Sequence, residues 1–268
     1  MKFITIGNAK KQTGFAYLGG VNISQKILKS QKVDNIMTYC LYLAPYNLSG
    51  YNVCKFSTKE CRLGCLFSSG RAKMEYNSGQ TKIVNSRIGK TKLFFEHNEF
   101  FMQWLIAEIK SFQNKAKKKG MGFIVRLNGM SDIDWQDVKY NGMSIFEIFP
   151  EIMFYDYTKN PNKFGMIPNN YHLTFSYTGK NWSICEALLE RGHNISVVFN
   201  VPNNLPLPSK FRGYDVIDGD ITDARVKDKK GIVVGLHWKR IGNKENEKIV
   251  LNSCFVVDPK NIEILQTV

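Results

Sequence analysis

The sequence lacks the features by which membrane proteins, secreted proteins and most nucleotide-binding enzymes are recognised. None of its apolar runs approaches the roughly 20 residues that a membrane span requires. The opening segment MKFITIGNAKKQ has too short an apolar stretch for a signal peptide. No GxGxxG sequence, P-loop, internal repeat or low-complexity linker is present. We therefore expect one globular domain, with no membrane partner, in the cytoplasm.

Cysteine and acidic residues are both scarce. Six cysteines in 268 residues are too few for a disulfide framework, and the expected reducing compartment keeps thiols available for metal binding or redox chemistry. Lys and Arg outnumber Asp and Glu by 37 to 23, which gives a net charge of +14 and a pI near 9.4. A field of this sign attracts polyanions, so nucleic acid is an expected partner, while a solvated lysine-rich surface would give the same count.

Seven short apolar runs are typical of strands in a parallel sheet that is covered on both faces. Helices are predicted between several of them, at 97–119, 144–149 and 182–191, and the last two carry the capping-box pairs Ser144/Glu147 and Ser183/Glu186. This alternation predicts an α/β protein, a (βα) barrel that is partial or irregular. The predicted strands are residues 37–43, 122–128, 152–158, 171–177, 194–200, 214–220 and 231–238.

The whole chain, residues 1–268, is predicted to form a single domain. Residues 1–36 are expected to be an N-terminal extension packed on the barrel, residues 37–240 its core, and residues 241–268 a C-terminal strand or extension. Functional groups of such barrels collect where the strands end, at the carboxyl edge of the sheet. The polar residues that follow the predicted strands are Arg126, Asn128, Ser131, Asp132, Asp156, Lys159, Ser176, Asp218, Asp220, Asp223, Arg225 and His237.

The loop after the first strand contains Cys54, Cys61 and Cys65, in the pattern C-x6-C-x3-C. Thiolates bind zinc or iron-sulfur clusters, and zinc sites usually show paired spacings that assemble four ligands. Neither a fourth Cys nor a His is near this loop. The pattern therefore favours a 4Fe-4S cluster over a structural zinc ion or no metal at all.

A cluster held by three thiolates has one iron that is either open or bound by a distant residue. Cys254 is the first candidate for that distant ligand, and Cys40 on the first strand is the second. Cys185 lies among apolar residues of a predicted helix and is interpreted as core.

Five segments of the chain carry a resemblance to a known family. SGYNVCKFSTKECRLGCLFSSGR, RLNGMSDIDW, FYDYTKNP, YHLTFSYTG and VIDGDITDARVKDKKGIVVGL together resemble an uncharacterised family that phages and other mobile elements encode and that is known only by a numbered gene product. The similarity extends from about residue 37 to residue 240. It implies a phage-type protein in the host cytosol and no particular activity.

More distantly, a cysteine loop after the first strand and NGMSD after the second resemble radical S-adenosylmethionine (SAM) enzymes and related phage proteins. Their partial barrels hold a 4Fe-4S cluster at the same edge, although their usual motifs are C-x3-C-x2-C and glycine-glycine-glutamate. The resemblance implies that Cys54, Cys61 and Cys65 bind the cluster. It also implies that the SAM side of the site contains Asn128, Ser131, Asp132 and Ser176.

Three functions are compatible with these patterns. The first is a radical SAM-like enzyme that acts on a nucleic acid or nucleotide. The second is a non-catalytic iron-sulfur protein that binds DNA or RNA through a basic surface, with Cys254 as a fourth ligand. The third is a nuclease whose Asp218, Asp220 and Asp223 share a magnesium ion. In the first, the catalytic or substrate-contacting residues are Arg126, Asp156, Lys159, Asp218, Asp220, Arg225 and His237.

Overall fold

The computed structural model describes residues 4–22, 24–68 and 82–261. Within these ranges the helices are α1 (Ile6–Thr13), α2 (Gln25–Asp34), α3 (Lys59–Leu63), α4 (Lys82–Glu96), α5 (Asn98–Lys118), α6 (Ile145–Ile148), α7 (Trp182–Glu190) and α8 (Lys244–Leu251). Short 3-10 helices lie at Leu66–Ser68, Pro161–Phe164, Arg225–Lys227 and Pro259–Asn261. None of the helices in the described ranges has the length and apolar character needed to cross a membrane.

The strands are β1 (Gly19–Gly20), β2 (Ile36–Leu41), β3 (Gly122–Arg126), β4 (Lys139–Tyr140), β5 (Met143–Ser144), β6 (Met153–Thr158), β7 (Tyr171–Ser176), β8 (Asn194–Phe199), β9 (Lys210–Phe211), β10 (Tyr214–Asp218), β11 (Val233–His237) and β12 (Val256–Val257). Strands β4 and β5 form a separate hairpin, and the other strands form one sheet. All seven predicted strands are present, as β2, β3, β6, β7, β8, β10 and β11.

The central sheet is mostly parallel, which confirms the α/β class. Its order is β1-β2-β3-β6-β7-β8-β11-β10-β9, and β12 pairs in parallel with the carboxyl half of β8. Among the strands that the structure describes, only β1 and β9 run antiparallel to their neighbours in this sheet. The last two predicted strands exchange places, since β11 lies between β8 and β10. The pairing of the described strands leaves both ends of the sheet open, so the hydrogen bonds form no closed barrel.

All three predicted helices are present, but only one of the two predicted capping boxes forms. α5 occupies the range predicted for the first helix, and α6 has its capping box, with Ser144 Oγ accepting from the Glu147 backbone N–H and the Glu147 carboxylate accepting from the Ser144 N–H at 2.6 Å. α7 occupies its predicted range, but Ser183 lies inside the helix and the first turn has no side-chain cap. α4 was not predicted at all.

A buried glutamate attaches the N-terminal segment to the sheet. Glu108 of α5 accepts hydrogen bonds from the Leu18 N–H at 2.9 Å, the Gly19 N–H at 3.1 Å and the Tyr39 hydroxyl at 2.8 Å. A Cβ atom on Gly19 would lie 2.5 Å from the Tyr39 ring, so only glycine allows this close approach. These contacts place β1 beside β2, the strand that leads into the cysteine loop.

The sheet has two chemically different faces, because side chains alternate along each strand. One face is apolar and packs against the helices in the main core. The other face, which we call the polar face, carries Thr38, Arg126, Tyr155, Tyr157 and Thr174 on four adjacent strands. The two faces therefore separate the stabilising core from a surface that is able to bind polar groups.

Residues 219–228, which we call the crossing segment, cover part of the polar face. The segment begins against β11, where a Cβ atom on Gly219 would lie 2.5 Å from Val234. It then reaches β3 and β6, because Ala224 packs in a cluster with Ile124 and Tyr155. The crossing segment thus joins the two halves of a sheet that backbone pairing leaves open.

Candidate functional site

The cysteine loop lies at the carboxyl edge of the sheet, beside the loops that follow β3 and β6. β2, β3 and β6 are neighbours and run in parallel, so their carboxyl ends meet. The Asp132 N–H donates to the Val53 carbonyl at 2.8 Å, and the Cys54 thiol contacts the Met130 carbonyl oxygen at 3.7 Å. The cysteine loop and the NGMSD loop therefore pack directly against each other, as predicted from the strand order.

A short helix positions the other two cysteines. Thr58 begins α3, and its hydroxyl accepts a hydrogen bond from the Cys61 N–H at 3.2 Å. The helix ends at Gly64, whose Cα packs so closely that a Cβ atom would lie 3.0 Å from the Trp238 ring. Cys65 follows Gly64 directly, and it lies near enough to Cys61 for the two thiols to influence each other.

The three thiols converge without forming the geometry of a single-ion site. The pKa of Cys54 is raised to about 11, chiefly by burial and in part by the nearby Cys61, Asp132 and Cys65. The three sulfur atoms do not all lie within 4.8 Å of one another. Thiolates that share one tetrahedral zinc ion would be about 3.8 Å apart, because each bond is about 2.3 Å long.

Two cations flank the sulfur atoms. Burial lowers the pKa of Lys159, but Cys61, to which the ammonium is hydrogen-bonded, and Asp132 outweigh it, so the pKa is raised. Burial raises the pKa of Cys65, whereas Lys159 and Arg87 act to lower it. Positive groups beside a cysteine stabilise its thiolate, which is the form in which cysteine binds metals. The surroundings of the three thiols therefore fit an anionic metal centre.

Asn128 holds the NGMSD loop together through every polar atom of its side chain. Its N–H and its Nδ2 donate to the two oxygens of Asp156, at 2.7 and 3.2 Å. Its Oδ1 accepts from Ser131 Oγ at 2.8 Å, the Ile133 N–H at 3.0 Å and Trp135 Nε1 at 3.2 Å. These bonds assign Asn128 and Ser131 a supporting role in the loop, and their predicted contact with SAM stays a prediction.

Asp132 links this loop to the end of β6. Its carboxylate accepts hydrogen bonds from the Thr158 hydroxyl at 2.7 Å, the Lys159 N–H at 2.9 Å and the buried Lys163 ammonium at 2.8 Å. Lys163 also donates to the Ile133 carbonyl at 2.7 Å. Asp132 therefore fixes the backbone from which the Lys159 side chain extends toward the thiols.

The remaining cysteines lie in different surroundings. Cys40 is buried on β2, where burial raises its pKa to about 12, and Cys185 is buried on α7. Cys254 is exposed after α8, and it immediately precedes Phe255, which belongs to a hydrophobic cluster that Cys61 contacts. Its role as a fourth ligand stays a prediction.

A second group of polar residues lies at the ends of β10 and β11. One ligand atom each from Asp218, Asp220 and His237 lies within 4.8 Å of the others. The atoms are already bonded to the protein, since Asp220 accepts from the His237 N–H at 3.0 Å and the Lys239 ammonium at 3.3 Å. Asp223, the third member of the predicted magnesium triad, is not part of this group.

Asp223 instead lies on the polar face among cations. Its carboxylate accepts from Arg126 Nη1 at 3.1 Å and from the Tyr155 hydroxyl at 2.6 Å, and it lies 3.2 Å from Lys26 Nζ. Arg225 is buried in the crossing segment and pairs with Asp228 at 3.0 Å. The structure therefore divides the predicted site residues among three places: the cysteine site, the polar face, and the group of Asp218, Asp220 and His237 at the ends of β10 and β11.

Ser176 also belongs to the polar face, where its hydroxyl lies 3.4 Å from that of Ser196. Sequence reasoning missed Arg87 and Lys26 altogether. Lys26 lies on α2 and Arg87 on α4, and both helices carry other basic residues. No sequence signal therefore separates these two residues from surface lysines and arginines.

One comparison with known proteins gives a match. The family model described as Gene product 88 matches residues 2–251, so the chain belongs to this family. The match confirms the predicted resemblance to a numbered phage gene product. No curated protein and no solved structure matches the chain. The more distant likeness to radical SAM enzymes has no support from these comparisons.

Proposed function

We propose that this member of the Gene product 88 family is an iron-sulfur protein of the host cytosol, in which Cys54, Cys61 and Cys65 hold a 4Fe-4S cluster. We further propose that it is a radical SAM-like enzyme acting on a nucleic acid or nucleotide, with the parallel sheet as a partial barrel. The observation that supports the cluster is the convergence of three thiols on the carboxyl edge of the sheet, beside Lys159 and Arg87.

The sequence spacing of the donors, C-x6-C-x3-C without the paired motifs of zinc sites, argues for a cluster over a zinc ion. A closed zinc site needs four ligands around one centre. In the part of the chain that the structure describes, no group of three or more closely spaced Cys, His, Asp or Glu ligand atoms includes these cysteines. A cluster has several irons, so its thiolates are spaced more widely, and its irons need not all have a protein ligand.

The protein's own residues account for how such a centre would be stabilised. A bound 4Fe-4S cluster supplies one-electron chemistry, and hydrogen bonds and net charge around its sulfurs set its reduction potential. Lys159 donates to Cys61, and Asp132 fixes the Lys159 backbone. Arg87 approaches Cys65 and lies 3.0 Å from the Met130 sulfur. These contacts would favour the reduced, more negative state.

The enzyme form of the proposal leaves one iron for SAM, and the alternative form closes it with Cys254. Cys61 packs against the group of apolar side chains that contains Phe255. Because Phe255 adjoins Cys254, this contact favours the alternative. The net charge of +14 suits a nucleic acid partner in either form.

Anaerobic purification followed by iron and sulfide analysis tests the cluster. We expect about four irons and four sulfides per chain, and a brown colour. Ala substitutions of Cys54, Cys61 or Cys65 should each lose most of the iron, whereas Cys185→Ala, which removes a buried thiol elsewhere, should retain it. Stoichiometric zinc, or iron that is retained in all three variants, would contradict the proposal.

Two further measurements separate the enzyme from the binding protein. Reduced protein mixed with SAM should release 5'-deoxyadenosine if one iron is open to SAM. Cys254→Ala should then keep both iron and turnover. If Cys254 is the fourth ligand, the variant should lose iron, turnover should be absent, and salt-sensitive binding to DNA or RNA should be the measurable activity.

A further inference from the structure

Several buried polar atoms on the polar face have no hydrogen-bond partner in the part of the chain that the structure describes. Four of them, Thr38 Oγ1, Arg126 Nε, the Tyr157 hydroxyl and Thr174 Oγ1, lie on neighbouring strands, and two others are His172 Nε2 and Asp223 Oδ1. Thr38 and Thr174 are both completely buried. A buried hydroxyl without a partner is costly, and native proteins normally satisfy such groups with water or a ligand.

Three of these side chains, Arg126, Tyr157 and Thr174, lie close together as one patch, whereas Thr38 is opposite Ile124, two residues before Arg126. Cys40, two residues after Thr38, is opposite Arg126, and Tyr157 is opposite Thr174. The Arg126 guanidinium lies 4.9 Å from the centre of the Tyr157 ring. Each of the strands β2, β3, β6 and β7 thus contributes at least one unpartnered group to the same face.

The unused donors of the patch favour an anion. Arg126 and Lys26 both pair with Asp223, and Lys26 also lies 3.9 Å from Asp220. Arg126 Nη1 and the Tyr155 hydroxyl both donate to Asp223 Oδ2, and the Arg126 Nε–H is left without an acceptor. A guanidinium with an unused Nε–H, next to hydroxyl groups, is the donor arrangement that binds carboxylate or phosphate oxygens.

The patch adjoins the cysteine site. Tyr157 precedes Lys159 by two residues and Arg126 precedes Asn128 by two, which along a strand is about 7 Å. Arg87 lies between the two regions, because its guanidinium is 5.2 Å from the ring of Tyr42, which neighbours Arg126 and Cys40, and it also approaches Cys65. A small molecule on the polar face would therefore lie within reach of a centre held by the three cysteines.

We propose that the polar face binds the oxyanion, carboxylate or phosphate, of a small substrate through Arg126, Tyr157 and Thr174. The word substrate rests on the proposed function, whereas binding of the oxyanion does not. The competing explanation is that ordered water alone satisfies these groups.

Calorimetric titration of the anaerobically purified protein with inorganic phosphate, acetate and glycerol tests the proposal. We expect phosphate or acetate to bind and glycerol not to bind, and the stronger of the two anions identifies the oxyanion. Arg126→Gln should weaken that binding at least about tenfold. The control is Arg212→Gln, which alters a guanidinium that lies 4.8 Å from the Trp182 ring, away from the polar face. Absence of anion binding, or equal binding of glycerol, would overturn the proposal.

Thr174→Val is a second test, because it keeps the shape of the side chain and removes only the hydroxyl. We expect its thermal stability to equal or exceed that of the wild type, since an unpartnered group is lost, and anion binding to weaken several-fold. Unchanged binding in both Thr174→Val and Arg126→Gln would overturn the site. Iron analysis of the same samples separates the two proposals: anion binding without iron defeats only the cluster, and iron without anion binding defeats only this site.

Discussion

Asp223→Asn should strongly destabilise the protein, because it removes one negative charge that holds three elements together. The carboxylate bonds Arg126 on β3 and Tyr155 on β6, and it pairs with Lys26 on α2. Asp223 itself lies in the crossing segment and is 1% exposed. The Asn side chain has the same size but no charge, so two buried or half-buried cations lose their common partner.

The size of the effect follows from the burial of this network. Breaking a buried ion pair by removing one partner costs about 3–5 kcal/mol, because the remaining charge is left uncompensated. For a protein of this size, that loss lowers the melting temperature by roughly 6–20 °C. Asp215 pairs with Lys210 at 3.6 Å and its side chain is 74% exposed, so Asp215→Asn should cost less than about 1 kcal/mol.

The pH dependence gives an independent check. Burial alone would raise the pKa of Asp223, but Lys26 and Arg126 hold it well below its ordinary value. A lowered pKa in the folded state means that this stabilisation is complete above the unfolded pKa of about 3.9 and is lost as the pH falls through the folded pKa. The difference in stability between wild type and Asp223→Asn should therefore be constant near neutral pH and shrink below about pH 4.

Urea denaturation followed by circular dichroism at several pH values measures both effects. The double variant Lys26→Met, Asp223→Asn gives a further test. It removes one of the cations that Asp223→Asn leaves unpaired, so its free energy of unfolding should be higher than that of Asp223→Asn alone. A cost for Asp223→Asn that is no larger than that of Asp215→Asn would refute the idea that this carboxylate joins the crossing segment to the sheet.

Three more predictions follow from other contacts. Glu108→Gln should cost about 1–3 kcal/mol in urea denaturation, because an amide cannot accept all three of the Glu108 hydrogen bonds, whereas Glu99→Gln on the exposed face of α5 should be near neutral. Ser144→Ala should cost about 1 kcal/mol through the loss of its cap, and Ser183→Ala, which removes no cap, should cost less than half of that. Lys159→Met should retain iron but lower the reduction potential of the centre in an electron paramagnetic resonance titration, since a cation beside Cys61 is lost; an unchanged or higher potential would contradict the assignment.

The regular elements were predictable wherever burial imposes a periodic pattern. The seven parallel strands and α5 have long apolar patterns, and each was found. α4 escaped prediction because only four of its described residues are buried and two of these, Lys90 and Thr91, are polar. The position of β11 between β8 and β10 was also not predicted, because both strands have the same apolar character and nothing in either sequence specifies its neighbour.

The candidate site was predictable in part for the same reason. Cys54, Cys61 and Cys65 are close in sequence, and Asp132 and Lys159 follow neighbouring parallel strands, so one edge had to bring them together. Arg87 and Lys26 come from helices, where only the packing angle decides whether a basic side chain points into a site or into solvent.

By itself the sequence determined the class of the fold, the edge of the sheet where the polar groups collect, and the three thiols that share a loop. These three features depend on local spacing and on the parallel direction of the strands, and both can be inferred from the order of residues along the chain. Only the tertiary structure decided that Asp223 leaves the group of Asp218 and Asp220 and joins Arg126, and that the polar face has unpartnered donors. Such pairings depend on where a crossing segment lies in three dimensions, and residues almost a hundred positions apart carry no local signal of it.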